Sequence, residues 1–221
     1  MNIIAIDTLS STLSVAAQGP KGLFTQSFTG NAPSHAEQLL PLIESAVRAA
    51  GFTAAETGLV LTPEGPGSFT GLRLGFAAAK ALQLSTHARF IPIPTLSCIA
   101  FQYQGWEDNL AALIDAKRDR FYIQLFKNGT ATTEVFDKTA AEMLPYFSQD
   151  SLWLITGYGT AAFRKTPVIA EHSSRFRFLE TDTLTFAPAM LAYAQKHAAV
   201  LAEAQDYAGP AYIRKSDAEK E

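Results

Sequence analysis

The densest group of residues suited to chemistry lies between Leu59 and Leu84. Gly65-Pro66-Gly67-Ser68-Phe69-Thr70-Gly71 places three glycines and a proline in seven positions. Such a loop can offer backbone N–H groups where side chains would block approach. The apolar run Leu59-Val60-Leu61 precedes it, and Leu72, Leu74, Phe76, Ala77, Ala81 and Leu84 follow at helical spacing. Strand, glycine turn and helix start together form a generic anion cradle. The commoner role of the same pattern is a tight turn. No Gly-Lys-Ser/Thr ends the loop, and Gly71 falls four residues after Gly67, so neither the P-loop nor the dinucleotide fingerprint fits. Ser68 does not sit in a Gly-x-Ser-x-Gly elbow, which argues against a serine hydrolase. A second chemical feature occurs twice: an aspartate, Asp7 or Asp115, ends an apolar run.

These residues need elements to hold them. Asn2 to Thr8 reads as a strand, Leu13, Val15 and Ala17 alternate as a second, and Leu23 to Phe28 gives a third after the turn Gly19-Pro20-Lys21-Gly22. Ser34 and Glu37 make a capping box for a helix to Ala50, with Leu39, Leu40, Ile43, Ala46 and Val47 in its apolar stripe and Pro41 inside it. The glycine loop leads into a helix to Ser85. A strand follows at Phe90 to Ile93, then a helix at Leu96 to Gln104. After polar Gly105 to Asn109 the opening pattern returns. Leu110 to Asp115, Phe121 to Phe126 and Thr132 to Phe136 are strands, the last two joined at Asn128-Gly129. A helix at Ala140 to Phe147, a strand at Leu152 to Ile155, the turn Gly157-Tyr158-Gly159 with a short helix, and a long helix at Thr185 to Ala204 complete it, before a charged, frayed tail at Lys215 to Glu221. The expected division is residues 1–104 and 105–221.

Composition narrows the function. At 221 residues with 48% hydrophobic and 18% charged residues, the chain has length for a real core and no disordered bulk. A net charge of −3 gives no electrostatic footprint for direct nucleic-acid binding. The one modest basic cluster, Lys117, Arg118 and Arg120, is diluted by Asp115 and Asp119. A single cysteine, Cys98, excludes an intrachain disulfide and a cysteine zinc site. Neither a signal peptide nor an apolar run of about 18 residues is visible, so a cytoplasmic location is expected.

Both halves therefore read βββαβα with an aspartate after the first strand. A duplicated βββαβα unit is the α/β architecture of the actin, sugar-kinase and Hsp70 superfamily, whose lobes hold a nucleotide. Four motifs then occur in order: Ile6-Asp7-Thr8 with Ser11-Thr12, the glycine loop continued by Leu72-Arg73-Leu74-Gly75, Ile114-Asp115-Ala116-Lys117-Arg118, and Pro210-Ala211-Tyr212-Ile213-Arg214. Over nearly the whole chain they resemble the TsaB (YeaZ) family of tRNA threonylcarbamoyladenosine biosynthesis.

That resemblance implies an accessory subunit without catalytic residues of its own, working in the cytoplasm beside the catalytic paralogue TsaD and the small P-loop ATPase TsaE. TsaD carries a two-histidine metal site on its first helix. Here the helix has His35, but the position four residues on is Leu39, so no metal site is expected. Asp7, Ser11, Thr12, Gly67 and Ser68 are the candidates for residual nucleotide binding, with ATP or ADP held, if at all, within a complex. The partner face is assigned to His35, Gln38, Leu39, Leu42, Ile43, Arg73, Leu74, Phe76, Ala77 and Lys80, without dividing those that face the chain's own sheet. The same face, unpartnered, is expected to form a homodimer, and tRNA is expected to be contacted only indirectly or weakly. The rival reading is a stand-alone ATP-dependent phosphotransferase of the sugar-kinase superfamily. Small size and the lack of a second glycine-rich phosphate turn stand against it.

Overall fold

The computed structural model describes residues 1–30, 32–106, 109–181, 185–205 and 208–213, with 32 and 33 as backbone only. It contains β1 (Ile3–Asp7), β2 (Thr12–Gly19), β3 (Gly22–Thr29), α1 (Ala32–Ala50), β4 (Leu59–Gly65), α2 (Phe69–Thr86), β5 (Arg89–Pro94) and α3 (Thr95–Phe101). After these come β6 (Asn109–Asp115), β7 (Arg120–Lys127), β8 (Thr130–Ala131), β9 (Phe136–Thr139), α4 (Ala140–Met143), β10 (Trp153–Gly157), α5 (Thr160–Arg164), α6 (Pro167–Glu171), β11 (Phe176–Glu180) and α7 (Ala187–Lys196). Among the described residues no helix is long and apolar enough to cross a membrane.

Two compact units emerge. In the first, the strand order is β3-β2-β1-β4-β5, with β1, β2 and β3 antiparallel and β1, β4 and β5 parallel. In the second the order is β11-β10-β6-β7-β8, with β9 also paired to β7. Counted from the first strand of each unit, and with β8 and β9, which both pair β7, taken together as the third strand of the second, both sheets run 3-2-1-4-5. This is the expected duplicated α/β architecture of the actin and sugar-kinase type. The central strands β1 and β6 are buried on both faces, so their sequences are continuous apolar runs rather than alternating ones. The turn Asn128-Gly129 has φ of 50° and 77°, the pair of positive values that a tight hairpin requires.

The expected boundary at 104/105 is corrected. The first unit comprises Met1–Pro94 with the described residues after 183, and the second the described residues of 95–182. The reason is α7. Its buried Ala187, Met190, Leu191 and Ala194 cover the first sheet, where the Ala187 amide donates to Ser14 Oγ at 3.2 Å and Gln195 donates to Gln18 at 2.8 Å. Ser14 and Gln18 alternate with Leu13, Val15 and Ala17, which pack under α1 and α2, so α7 takes the opposite face.

Other boundaries shift. Helix α1 starts at Ala32, which puts Ser34 inside the first turn rather than at the cap, and Pro41 lies on its exposed side. A proline there removes only a hydrogen bond whose carbonyl partner faces water. Helix α7 stops at Lys196, well before Ala204. The expected strand Thr132–Phe136 is replaced by β8 and β9, and β11 was not anticipated. The expected tail, Lys215 to Glu221, lies outside the described residues.

The second core is aromatic. Phe147 meets Trp153 at 5.2 Å, Phe176 at 5.1 Å and Phe163 at 6.4 Å between ring centroids, all edge to face. Phe147→Ala is expected to destabilise this unit by about 3–5 kcal/mol, read as a lowered urea midpoint of its unfolding.

Candidate functional site: the glycine loop and the flanking helices

The site begins at the end of β1. Asp7 is fully buried, and its Oδ1 accepts a hydrogen bond from the Leu9 amide at 3.0 Å. This Asx turn directs Thr8 and Leu9 against the glycine loop. Thr8 Oγ1 donates to the Gly71 carbonyl at 2.6 Å. A Cβ on Gly71 would lie 2.2 Å from the Thr8 carbonyl oxygen, and one on Gly67 would lie 2.5 Å from Leu9 Cδ2. One helical turn on, a Cβ on Gly75 would sit 2.5 Å from Thr62 Oγ1. These glycines let α2 lie directly on β1 and β4.

The far side of the loop is filled by the C-terminal segment. Gly65, at φ +128°, faces the Ala211 carbonyl, which a Cβ would approach to 2.4 Å. The Ala211 amide donates to the Glu64 carbonyl at 2.8 Å. The Tyr212 ring lies 4.9 Å from that of Phe69, the Arg73 guanidinium sits 3.8 Å over Phe69, and Arg73 Nε donates to the Tyr212 hydroxyl at 3.3 Å. Burial pushes the Glu64 carboxyl above its ordinary value of 4.5. Ser68 caps α2, its Oγ accepting from the Gly71 amide at 3.3 Å.

Of the five residues expected to touch a nucleotide, Asp7 and Gly67 meet at Leu9, which bonds the first and lies against the second, while exposed Ser68 is turned to the Gly71 amide. Ser11 and Thr12 lie across the hairpin. Thr12 is buried with its hydroxyl 3.3 Å from that of Thr29, and the exposed Ser11 uses its carbonyl to accept from the Gly30 amide at 2.9 Å.

The second unit repeats the arrangement. Asp115 Oδ1 accepts from the Lys117 amide at 2.7 Å, the same turn that Asp7 makes, and Lys117 Nζ adds a 2.8 Å ion pair. Gly157 presses on the Leu113 carbonyl and Gly159 on Asp115, both at positive φ. Gly157-Tyr158-Gly159 thus has the packing role that the first loop has. Lys117, Arg118 and Asp119 have φ of 62°, 58° and 57°, three successive left-handed residues at the hairpin tip.

The expected partner face is corrected in part. Leu39, Ile43 and Phe76 are buried in the chain's own core, because they share the helical stripes that face the first sheet. His35 is only 3% exposed, with Nε2 3.3 Å from the Ser11 carbonyl and its ring edge-on to Phe28. Leu42 and Leu74 are half-buried at the core margin, Gln38 and Lys80 are half-buried, and Ala77 and Arg73 are exposed, Arg73 engaged with Phe69 and Tyr212. Sequence reasoning left out two exposed leucines, Leu40 at 71% and Leu84 at 80%. No local signal separated Leu40 from Leu39, because adjacent positions can share one apolar stripe, as buried Ala46 and Val47 do. On α2, Arg73, Ala77, Ala81 and Leu84 line one exposed stripe. Among the described residues no three His, Cys, Asp or Glu side chains gather to hold a metal ion.

Two outcomes follow from this packing. Gly71→Ala meets backbone at 2.2 Å, whereas Gly67→Ala meets only the tip of a leucine. The first is expected to destabilise by about 1–3 kcal/mol and the second by less, measured by urea unfolding. Glu64 has a raised folded pKa, so its contribution is most favourable below the unfolded value and is lost as pH rises through the folded one. Glu64→Gln should therefore melt above the parent chain at neutral pH, with the gain vanishing as pH falls to 4.5.

The family model described as "TsaD: tRNA N6-adenosine threonylcarbamoyltransferase" matches residues 29–220. The tRNA threonylcarbamoyladenosine biosynthesis protein TsaB of Bacillus subtilis is 26% identical over 62% of this chain, and the match spans 61% of that relative. The protein of the same name from Escherichia coli is 28% identical over 74% of each chain. A crystal structure of an uncharacterized protein with similarity to peptidase YeaZ, from Pseudomonas aeruginosa, shares the fold at a TM-score of 0.76 and 21% identity, covering 96% of this chain and 99% of that one. With the motifs above at the glycine loop and the strand ends, the chain belongs to the TsaB (YeaZ) family.

Proposed function

We propose that this chain serves tRNA threonylcarbamoyladenosine biosynthesis as a scaffold that binds and activates a TsaD-type catalytic subunit, contributing no catalytic group itself. The observation that carries this reading is the filling of the glycine loop. Ala211, Leu9 and the Thr8 carbonyl lie where side chains on Gly65, Gly67 and Gly71 would project, and the Thr8 hydroxyl binds the Gly71 carbonyl, which supports a packing role for the loop. What the loop positions is α2, whose outward stripe Arg73, Ala77, Ala81 and Leu84 is, with exposed Leu40 and Pro41 of α1, the surface we assign to the partner. Small residues with a few large apolar ones suit close helix packing, and apolar side chains left in water mark an interaction surface. ATP or ADP then belongs to the assembled complex with a TsaE-type ATPase. A net charge of −3 fits a subunit that meets tRNA only through its partner.

The test is threonylcarbamoyl transfer to tRNA by purified TsaD and TsaE, with and without this chain. Leu40→Glu and Leu84→Glu are expected to lower the stimulation and co-elution with TsaD at least tenfold, about 1.4 kcal/mol or more. Their melting temperatures should stay near that of the parent chain, because both side chains are exposed. Turnover of ATP by the chain alone, abolished by Asp7→Asn, would instead establish the phosphotransferase reading.

A further inference from the structure

Helix α2 holds only two ionisable side chains, Arg73 and Lys80, both basic, in a chain whose net charge is −3. Lys80 is half-buried, so the exposed charge on the outward stripe is Arg73. Its guanidinium lies 3.8 Å over the ring of Phe69, one helical turn earlier. The Tyr212 ring packs on Phe69 at 4.9 Å between centroids, and the Tyr212 hydroxyl accepts from Arg73 Nε at 3.3 Å. The terminal nitrogens, Nη1 and Nη2, have no hydrogen-bond or ion-pair partner among the described residues.

A long, flexible side chain ordinarily loses rotamer freedom when it binds. Here the stacking and the Nε bond have already fixed the guanidinium plane, so little of that loss remains. Phe69 also shields one face of the cation from water. What is left is a planar fork of N–H groups, the match of the two oxygens of a carboxylate. Tyr212 is itself held from behind. The Ala211 amide donates to the Glu64 carbonyl at 2.8 Å and the Ala204 amide to the Phe90 carbonyl at 2.8 Å, which ties the C-terminal segment to β4 and β5.

We propose that Arg73 is a preset receptor for one carboxylate of the catalytic partner, an Asp or Glu on a helix packed along the α2 stripe, with Tyr212 as its positioning residue. The inference rests on the reading that this face meets a TsaD-type subunit, and it adds the chemistry of the contact. Ala77, Ala81 and Leu84 follow Arg73 at successive turns, so a helix lying along them passes the fork. Those small and apolar neighbours supply no second cation, which suits a single carboxylate and not the phosphate backbone of a nucleic acid.

The test is calorimetric titration of the full chain with purified TsaD. Arg73→Glu is expected to weaken binding at least about tenfold while circular dichroism matches the parent chain. Arg73→Lys should recover only part of the loss, because an ammonium cannot make the paired bonds. Tyr212→Phe keeps the ring and removes the hydroxyl, so it should weaken binding about threefold. That loss should vanish in the Arg73→Glu background, whereas a purely structural role would give the same loss in both. Changing the surface Asp and Glu residues of TsaD one at a time to Arg should find one that restores binding to Arg73→Glu. If Leu84→Glu breaks the complex but Arg73→Glu binds like the parent, or no such change restores it, the receptor is overturned and the helix face stands. A parent chain that does not bind TsaD overturns both. An Arg73→Glu variant that keeps its affinity for TsaD and loses affinity for tRNA overturns the proposal in favour of a phosphate.

Discussion

The first unit depends on the contact between the Thr8 turn and Gly71. The Asp7 carboxylate, buried among apolar strands, is held by the Leu9 amide, and that bond shapes the turn. The turn then meets α2 backbone to backbone, with the Thr8 hydroxyl tied to the Gly71 carbonyl. Approach this close requires a missing side chain at 71 and again one turn later at 75. The orientation of α2, and with it the direction of its outward stripe, follows from this junction. A loop whose composition suits a ligand makes close contacts with its own chain.

The duplicated unit shows how one scaffold diverges. Asp7 and Asp115 make the same bond to the amide two residues on. Beyond it the two turns part. After Asp7 the chain turns inward and buries Leu9 against Gly67. After Asp115 it passes through three left-handed residues, each costing about 1–2 kcal/mol outside glycine, with the Lys117–Asp115 pair among the contacts that offset this.

The fold class was legible because the signals were local and repeated: two apolar runs ended by aspartate, hairpin turns at Gly19–Gly22 and Asn128-Gly129, and helices with clear stripes. The unit boundary was not, because α7 follows the second half in sequence and packs on the first sheet, and no local pattern reports which face an amphipathic helix covers. The division of α1 and α2 between core and surface was only partly readable. Leu39 and Leu40 look equivalent in composition, and only the direction of the sheet separates them. Strand β11 escaped because Arg177 and Glu180 interrupt a short edge segment, where one exposed side breaks the apolar run.

The return of α7 to the first sheet also orders events during synthesis. Residues 95–182 form a unit continuous in sequence, whereas the first sheet gains its second cover only from residues after 183. A nascent chain on the ribosome therefore holds β1, β2 and β4 with one face bare while the whole second unit is translated. Ser14 and its apolar neighbours wait for α7 through that interval, which makes this face the natural client surface for a chaperone on the growing chain.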